Sequence, residues 1–198
     1  MRVFNIEEME CGCGYDTCHR DNMEIVMLPL SGALEYGDDR GNNSPLTSGE
    51  AQIISAGTGI VHNLYNRSKS ETAKYIQLWI YPREYELEPE YTKIRLSGAV
   101  RGEWQEIASP CGGEHVLPVG QNVWLHMTEL GAGDTIIYGM QDSSNGVYVS
   151  VLSGEVEVAE TTLKCGDGLG LHGHGNVLKF ESAGESKIMV AELPMQRV

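Results

Sequence analysis

The residues best suited to chemistry gather in two short stretches. The first reads Cys18-His19-Arg20, with Glu24 four residues further on. The second runs from Gly49 through Ser55-Ala56-Gly57 to His62, with Leu64 two residues beyond. Thiolate, imidazole and carboxylate are ligands for zinc or iron, so His62, Glu24 and either Cys18 or His19 form a candidate metal set. Side chains two apart on a strand face the same side. Cys18 and Arg20, or His62 and Leu64, would therefore enter one cavity together. An inward guanidinium at Arg20 would repel a divalent cation at close range and could hold an anion instead. The competing reading is a site without metal, with His62 hydrogen-bonded in a small cavity.

Other reactive residues carry weaker patterns. Cys11-Gly12-Cys13 and Cys18 have spacing that suits a metal or thiol redox chemistry, but no distant second pair completes a zinc site. Oxidation among them would sense peroxide if one thiol were exposed and acidic; the plain alternative is three reduced thiols beside a glycine turn. Cys111 and Cys165 stand alone and read as structural. His172-Gly173-His174 falls at a turn without a partnering acid, His126 reads as packed or exposed, and His115 gives no signal. Gly57-Thr58-Gly59 lacks a following Lys-Ser/Thr and a helix start, so it is not a phosphate loop. Glu84, Glu86, Glu88 and Glu90 alternate and read as a solvated linker.

The elements that must position these groups are strands. Helical periodicity is scarce. Short runs rich in Val, Ile, Tyr and Leu, bounded by Gly, Asn, Asp, Ser or Pro, predict strands over 2–6, 23–30, 33–36, 51–55, 59–63 and 73–81. In the second half they predict strands over 114–116, 123–130, 134–138, 146–152, 155–158, 168–171, 176–181 and 186–192. Residues 37–43 read as a hairpin tip, and 102–113 as either a strand or a short helix with a loop. The pattern repeats. Ser31-Gly32-Ala33-Leu34-Glu35-Tyr36 matches Ser153-Gly154-Glu155-Val156-Glu157-Val158, and Ser48-Gly49-Glu50 matches Cys165-Gly166-Asp167. Two tandem β-domains follow, over residues 1–97 and 98–198, with the crossing beginning in 82–89.

Composition narrows the function. The 198 residues hold 14 Lys and Arg against 28 Asp and Glu, a formal net charge of −14. That balance argues against a nucleic-acid partner, whose phosphates reward basic stripes. No apolar run approaches the roughly 20 residues of a membrane span, and the N-terminus lacks the apolar core of a secretory signal. Five Cys, an odd number unevenly placed, do not suggest a secreted disulfide framework. The expectation is a reduced, cytoplasmic protein.

Several of these stretches together resemble the pirin family. They are Met23-Glu24-Ile25-Val26, Gly32-Ala33-Leu34-Glu35-Tyr36, Ser55-Ala56-Gly57-Thr58-Gly59-Ile60-Val61-His62-Asn63 and Gln77-Leu78-Trp79-Ile80. Val123-Trp124-Leu125-His126 and Cys165-Gly166-Asp167-Gly168 are similar to the C-terminal domain of its bacterial members. The resemblance implies an all-β bicupin: two tandem jelly-roll barrels, the first with the site and the second without metal. It implies quercetin 2,3-dioxygenase activity in some members, with a flavonol-like or other aromatic small molecule as ligand and one divalent Fe, Ni, Mn, Cu or Zn. The family holds that metal with His-x-His on one strand and His-x-Glu on another. Without gaps these positions fall on Cys18 and Arg20, then His62 and Leu64. With a one-residue bulge at Asp21-Asn22, they fall on Thr17 and His19. Leu64 replaces the acid that is both ligand and base, so Glu24 becomes the candidate catalytic carboxylate. The alternative is a ligand-binding, redox-responsive or regulatory bicupin that has lost its metal. The family also has residues ahead of the segment matching 2–5; without them an open strand edge would suit pairing with a second copy of the chain.

Overall fold

The computed structural model describes residues 1–195, and among them there is no α-helix. In particular, no helix is long and apolar enough to cross a membrane. The chain forms two compact units. The first comprises Met1–Leu96 together with Pro110–Gln121; the second comprises Ser97–Ser109 and the chain from Asn122 onward. The chain first passes from one unit to the other between Leu96 and Ser97, and it crosses again at Ser109/Pro110 and Gln121/Asn122. The return of 110–121 to the first unit is written in Pro- and Gly-rich sequence with no hydrophobic period.

In the first unit the strands are β1 (Val3–Met9), β2 (Gly14–Arg20), β3 (Glu24–Ser31), β4 (Ala33–Asp38), β5 (Asn43–Thr47), β6 (Glu50–Ser55), β7 (Ile60–Tyr65), β8 (Ala73–Ile80) and β9 (Glu90–Arg95). They make two antiparallel sheets, ordered β1-β8-β3-β6-β9 and β2-β7-β4-β5. The core between them holds Ile25, Met27, Leu34, Tyr36, Leu46, Ile54, Ile60 and Leu64. Full burial of each such aliphatic chain contributes about 1.5–3 kcal/mol. Tyr36 stacks on Tyr91 with ring centroids 4.9 Å apart, joining the two sheets.

In the second unit β10 (Gln105–Ser109) replaces the ambiguous reading of 102–113. It precedes β11 (Leu117–Pro118), which belongs to the first unit, and then β12 (Trp124–Leu130), β13 (Thr135–Gly139), β14 (Gly146–Ser153), β15 (Glu155–Val158), β16 (Thr161–Lys164), β17 (Gly168–His172), β18 (Val177–Ser182) and β19 (Ser186–Leu193). Sheet order runs β10-β12-β19-β14-β17 and β13-β18-β15-β16. Its core gathers Leu130, Tyr138, Val149, Val156, Phe180, Ile188 and Val190. One carboxylate is fully buried there. Glu192 accepts hydrogen bonds from Tyr138 Oη (3.0 Å), the backbone N–H groups of Gln141 and Asp142 (2.9 Å each) and Asn145 Nδ2 (2.7 Å), and so fixes the loop before β14.

The sequence repeat has a physical cause. Gly32 and Gly154 occupy the same turn in each unit, with φ of +72° and +77°. A Cβ at Gly32 would stand 2.9 Å from Ala73 Cα, and at Gly154 2.7 Å from Ser186 Cα. Only glycine fits such a left-handed, crowded position. Two expectations need correction. Residues 114–116 form no strand, only an isolated bridge between Gly113 and Val116. The acidic run after β8 is exposed at all four glutamates, but it is tied down and its last member belongs to a strand rather than to a linker. The Glu86 N–H donates to Asn22 Oδ1 while Asn22 Nδ2 donates to Glu86 Oε1, Glu88 pairs with Arg40, and Glu90 begins β9.

Candidate functional site

A cavity of about 260 Å³ lies between the two sheets of the first unit. One wall comes from β1, β8 and β3. Register places Val3 opposite Trp79, Asn5 opposite Gln77, Ile25 opposite Trp79 and Met27 opposite Gln77, so these alternate side chains share one face. The other wall comes from β2 and β7. There Cys18 is the cross-strand partner of His62 and Tyr15 of Leu64, with a bulge between Tyr15 and Cys18. The ladder carries its bulge before the motif and ends at Arg20; beyond it Asn22 adopts a left-handed φ of +46°. The bulge sets the parity that turns Cys18 and Arg20 toward the cavity and His19 away from it.

The electrostatics of this pocket are unusual for a chain so acidic. The Arg20 guanidinium lies over the Trp79 ring, 4.6 Å from its centroid, and its Nη1 donates to the His19 carbonyl at 2.8 Å. Its Nε is buried without a partner, and among the described residues no carboxylate pairs with it. His62 is 7 % exposed and stacks on Tyr36 at 5.9 Å; neither ring nitrogen has a hydrogen-bond partner. Burial, assisted by the Arg20 charge and opposed by Asp38, depresses its pKa to about 4. The imidazole is therefore neutral at pH 7, with one N–H and one lone pair to satisfy. At the other end of the wall the Glu7 carboxylate is held by Tyr75 Oη (2.5 Å), Asn5 Nδ2 (2.9 Å) and Tyr15 Oη (3.3 Å).

The structure brings together Cys18, Arg20, His62 and Leu64, all of which line the cavity. It separates the other two candidates. His19 points outward, with its side chain 62 % exposed and 3.9 Å from Asp21. Glu24 belongs to the opposite face of β3 from Ile25 and Met27. It lines a different cavity of about 480 Å³ with Ser55, Arg83 and Gly120. There its Oε2 accepts from Ser55 Oγ (2.8 Å) and the Gly120 N–H (3.3 Å), and burial raises its pKa. The expected set of Glu24 with His62 therefore does not form. Trp79, Gln77, Glu7 and Tyr15 complete the pocket. For Gln77 and Trp79 the signal is their alternation with Ile76, Leu78 and Ile80 on β8; Glu7 and Tyr15 carry none.

Cys18 and His62 are the only potential metal donors among the four converging side chains. A guanidinium has no lone pair to give, and Leu64 has no donor atom. A catalytic zinc centre takes three protein ligands. Among the described residues no group of three or more His, Cys, Asp or Glu side chains is placed to hold a metal ion. The residues present do not fit a resident divalent cation. The cysteine run is spread over a surface turn and β2, with Cys11 and Cys13 exposed and Cys18 partly buried, its Sγ 3.3 Å from the Asp16 carbonyl.

Comparison with known proteins accounts for both halves. The family model described as Pirin matches residues 4–80, and that of the quercetinase C-terminal cupin domain matches 106–193. A protein of Escherichia coli K12 named quercetin 2,3-dioxygenase is 31 % identical over 194 residues, covering 98 % of this chain and 82 % of the relative. The crystal structure of YhhW from Escherichia coli superimposes with a TM-score of 0.92 at 30 % identity, covering 100 % of this chain and 82 % of that one. A structure of the bacterial pirin YhhW from Escherichia coli in complex with nickel(II) gives 0.89 at 30 % identity, covering 98 % and 82 %.

Proposed function

Because the chain belongs to the pirin family of two-domain cupins, we propose that it binds a small aromatic molecule in its N-terminal cavity, without the metal-dependent oxygenation that names its relatives. The observation that supports this reading is the identity of the four side chains at the positions the family uses for metal. Of the pairs the resemblance allows, Cys18 and Arg20 are the ones that line the cavity; on that reading only His62 remains, Cys18 and Arg20 stand in for the paired imidazoles and Leu64 for the acid. A flavonol dioxygenase needs a Lewis acid on the substrate oxygen and a carboxylate to take its proton. This pocket offers a fixed cation in place of the first and no free carboxylate for the second: Glu24 faces elsewhere, and Glu7 is bound by three donors. What the cavity does offer is an aromatic floor, Trp79, and apolar walls from Val3, Ile25, Met27 and Leu64 around a few polar groups. That is the usual make-up of a small-molecule site.

The test is oxygen uptake and flavonol loss with protein purified without a chelating tag, supplied in turn with Fe, Ni, Mn, Cu and Zn. The expected result is no turnover above the protein-free control with any of them. Metal-dependent turnover that disappears in His62→Ala would establish the dioxygenase reading suggested by the relatives' names.

A further inference from the structure

From the charges around this cavity we infer the class of its occupant: a small aromatic carboxylate, its anion held by Arg20 and His62 and its ring laid against the apolar wall. This inference rests on the metal-free binding reading above. Three features of the pocket lead to it. The first is the uncompensated cation. In a chain with twice as many acids as bases, a cavity lined by one arginine and no partnering acid is a departure that needs a cause. The guanidinium is held by Trp79 beneath it and by the His19 carbonyl, which fixes its plane while Nε stays without an acceptor. A planar fork so fixed matches the two oxygens of a carboxylate.

The second feature is His62. A buried polar group left without a partner is destabilising, and both of its ring nitrogens are in that state. The cross-strand neighbours do not relieve it. Asp38, its partner on β4, is already engaged by Tyr36 Oη, Asn42 Nδ2 and the N–H groups of Arg40 and Asn42. Cys18, its partner on β2, points its thiol at the Asp16 carbonyl. A ligand oxygen can accept from the imidazole N–H that the protein leaves unmatched.

The third feature is the polarity and size of the cavity. Arg20 sits over Trp79, which faces Val3 on β1; Glu7 lies four residues along the same strand, roughly 13 Å away at the usual rise per residue. An anion is drawn to the Arg20 end, while the Glu7 end repels a second negative charge. A dicarboxylate spanning the cavity is disfavoured, and a monoanion with a neutral ring is favoured. The volume of about 260 Å³ lies below the usual range for drug-sized ligands, which suits one ring with a short substituent.

Calorimetric titration of the full chain at pH 7, in excess EDTA, with benzoate and cinnamate beside their primary amides tests this. The acids should bind about tenfold or more tightly than the amides. Arg20→Gln should abolish most of that preference while leaving weak amide binding. Arg20→Lys, which keeps a charge and an aliphatic stem over Trp79, should retain part of it and guards against misfolding of the first variant. Equal affinity for acids and amides, or a preference that survives Arg20→Gln, overturns the carboxylate inference and leaves aromatic binding standing. No binding of either kind at millimolar concentration overturns both. Binding of the acids that appears only when EDTA is replaced by a divalent metal also overturns both.

Discussion

Protonating His62 should destabilise the N-terminal unit in a defined pH window. The imidazole is 7 % exposed, and its pKa falls from 6.5 to about 4 because burial, and then the Arg20 charge, oppose the cationic form. In the unfolded chain the same ring takes its proton near 6.5. The folded pKa is the lower one, so the unfolded state binds the proton first. The stability contributed by keeping this ring neutral is complete above about pH 6.5. It is lost as pH falls toward 4, and no more is lost below that. At 1.36 kcal/mol per unit the full loss is about 3 kcal/mol, a large fraction of the stability of an ordinary domain. Replacing the ring by a phenyl, His62→Phe, retains a ring to stack on Tyr36 and deletes the two unpartnered nitrogens. The variant should be at least as stable as the natural chain at pH 7, because no buried polar group is left unmet. The assay is urea unfolding of both proteins at pH 7, 6, 5 and 4, with an NMR titration of the imidazole in the folded natural chain. The difference between the two proteins should widen by about 3 kcal/mol from pH 7 to 4. Parallel profiles, or an imidazole midpoint near 6.5, would refute the burial argument.

Three further outcomes follow from buried groups and turns. Glu24→Gln should leave ligand binding unchanged, because Glu24 lines the other cavity; since its raised pKa means the fold favours the neutral form, the variant should gain stability relative to the natural chain as pH rises past the ordinary carboxylate range. Loss of binding in that variant, measured by the same calorimetry, would return Glu24 to the site. Glu192→Ala leaves a tyrosine hydroxyl, two backbone N–H groups and an amide without their acceptor, and should cost at least about 3 kcal/mol in urea unfolding; a cost under about 1 kcal/mol would show that water replaces the carboxylate. Gly154→Ala places a Cβ against the backbone of Glu185 and Ser186 at a positive φ, so it should destabilise by about 2 kcal/mol or more in thermal melts, whereas Gly133→Ala, at a positive φ with open space around it, should cost less.

The sequence is most legible where burial alternates. In β7 the run Ile60-Val61-His62-Asn63-Leu64 reads in-out-in-out-in, and the structure buries residues 60, 62 and 64 accordingly. The duplicated Ser-Gly turns are legible because their geometry admits nothing but glycine. By contrast, β2 went unmarked by any apolar period. Its residues Gly-Tyr-Asp-Thr-Cys-His-Arg are polar and mostly exposed, since its inward side chains line a cavity rather than a core. Its bulge decides whether Cys18 and Arg20 or Thr17 and His19 face inward, and a bulge that follows no special residue leaves no trace in sequence. Glu24 is hard to place from the sequence for the opposite reason. Every residue from Glu24 to Pro29 is buried, so neither face of β3 is distinguished by hydropathy, and a carboxylate close in sequence to the motif looked close in space.

The most direct measurement is nickel bound at equilibrium dialysis, comparing the natural chain with a variant carrying Cys18→His, Arg20→His and Leu64→Glu, which places around His62 the donors that the family resemblance implies. The natural chain should retain far less than one nickel per molecule, and the restored variant about one. A natural chain that holds one nickel, and loses it in His62→Ala, would contradict the central claim that the cationic pocket has displaced the metal.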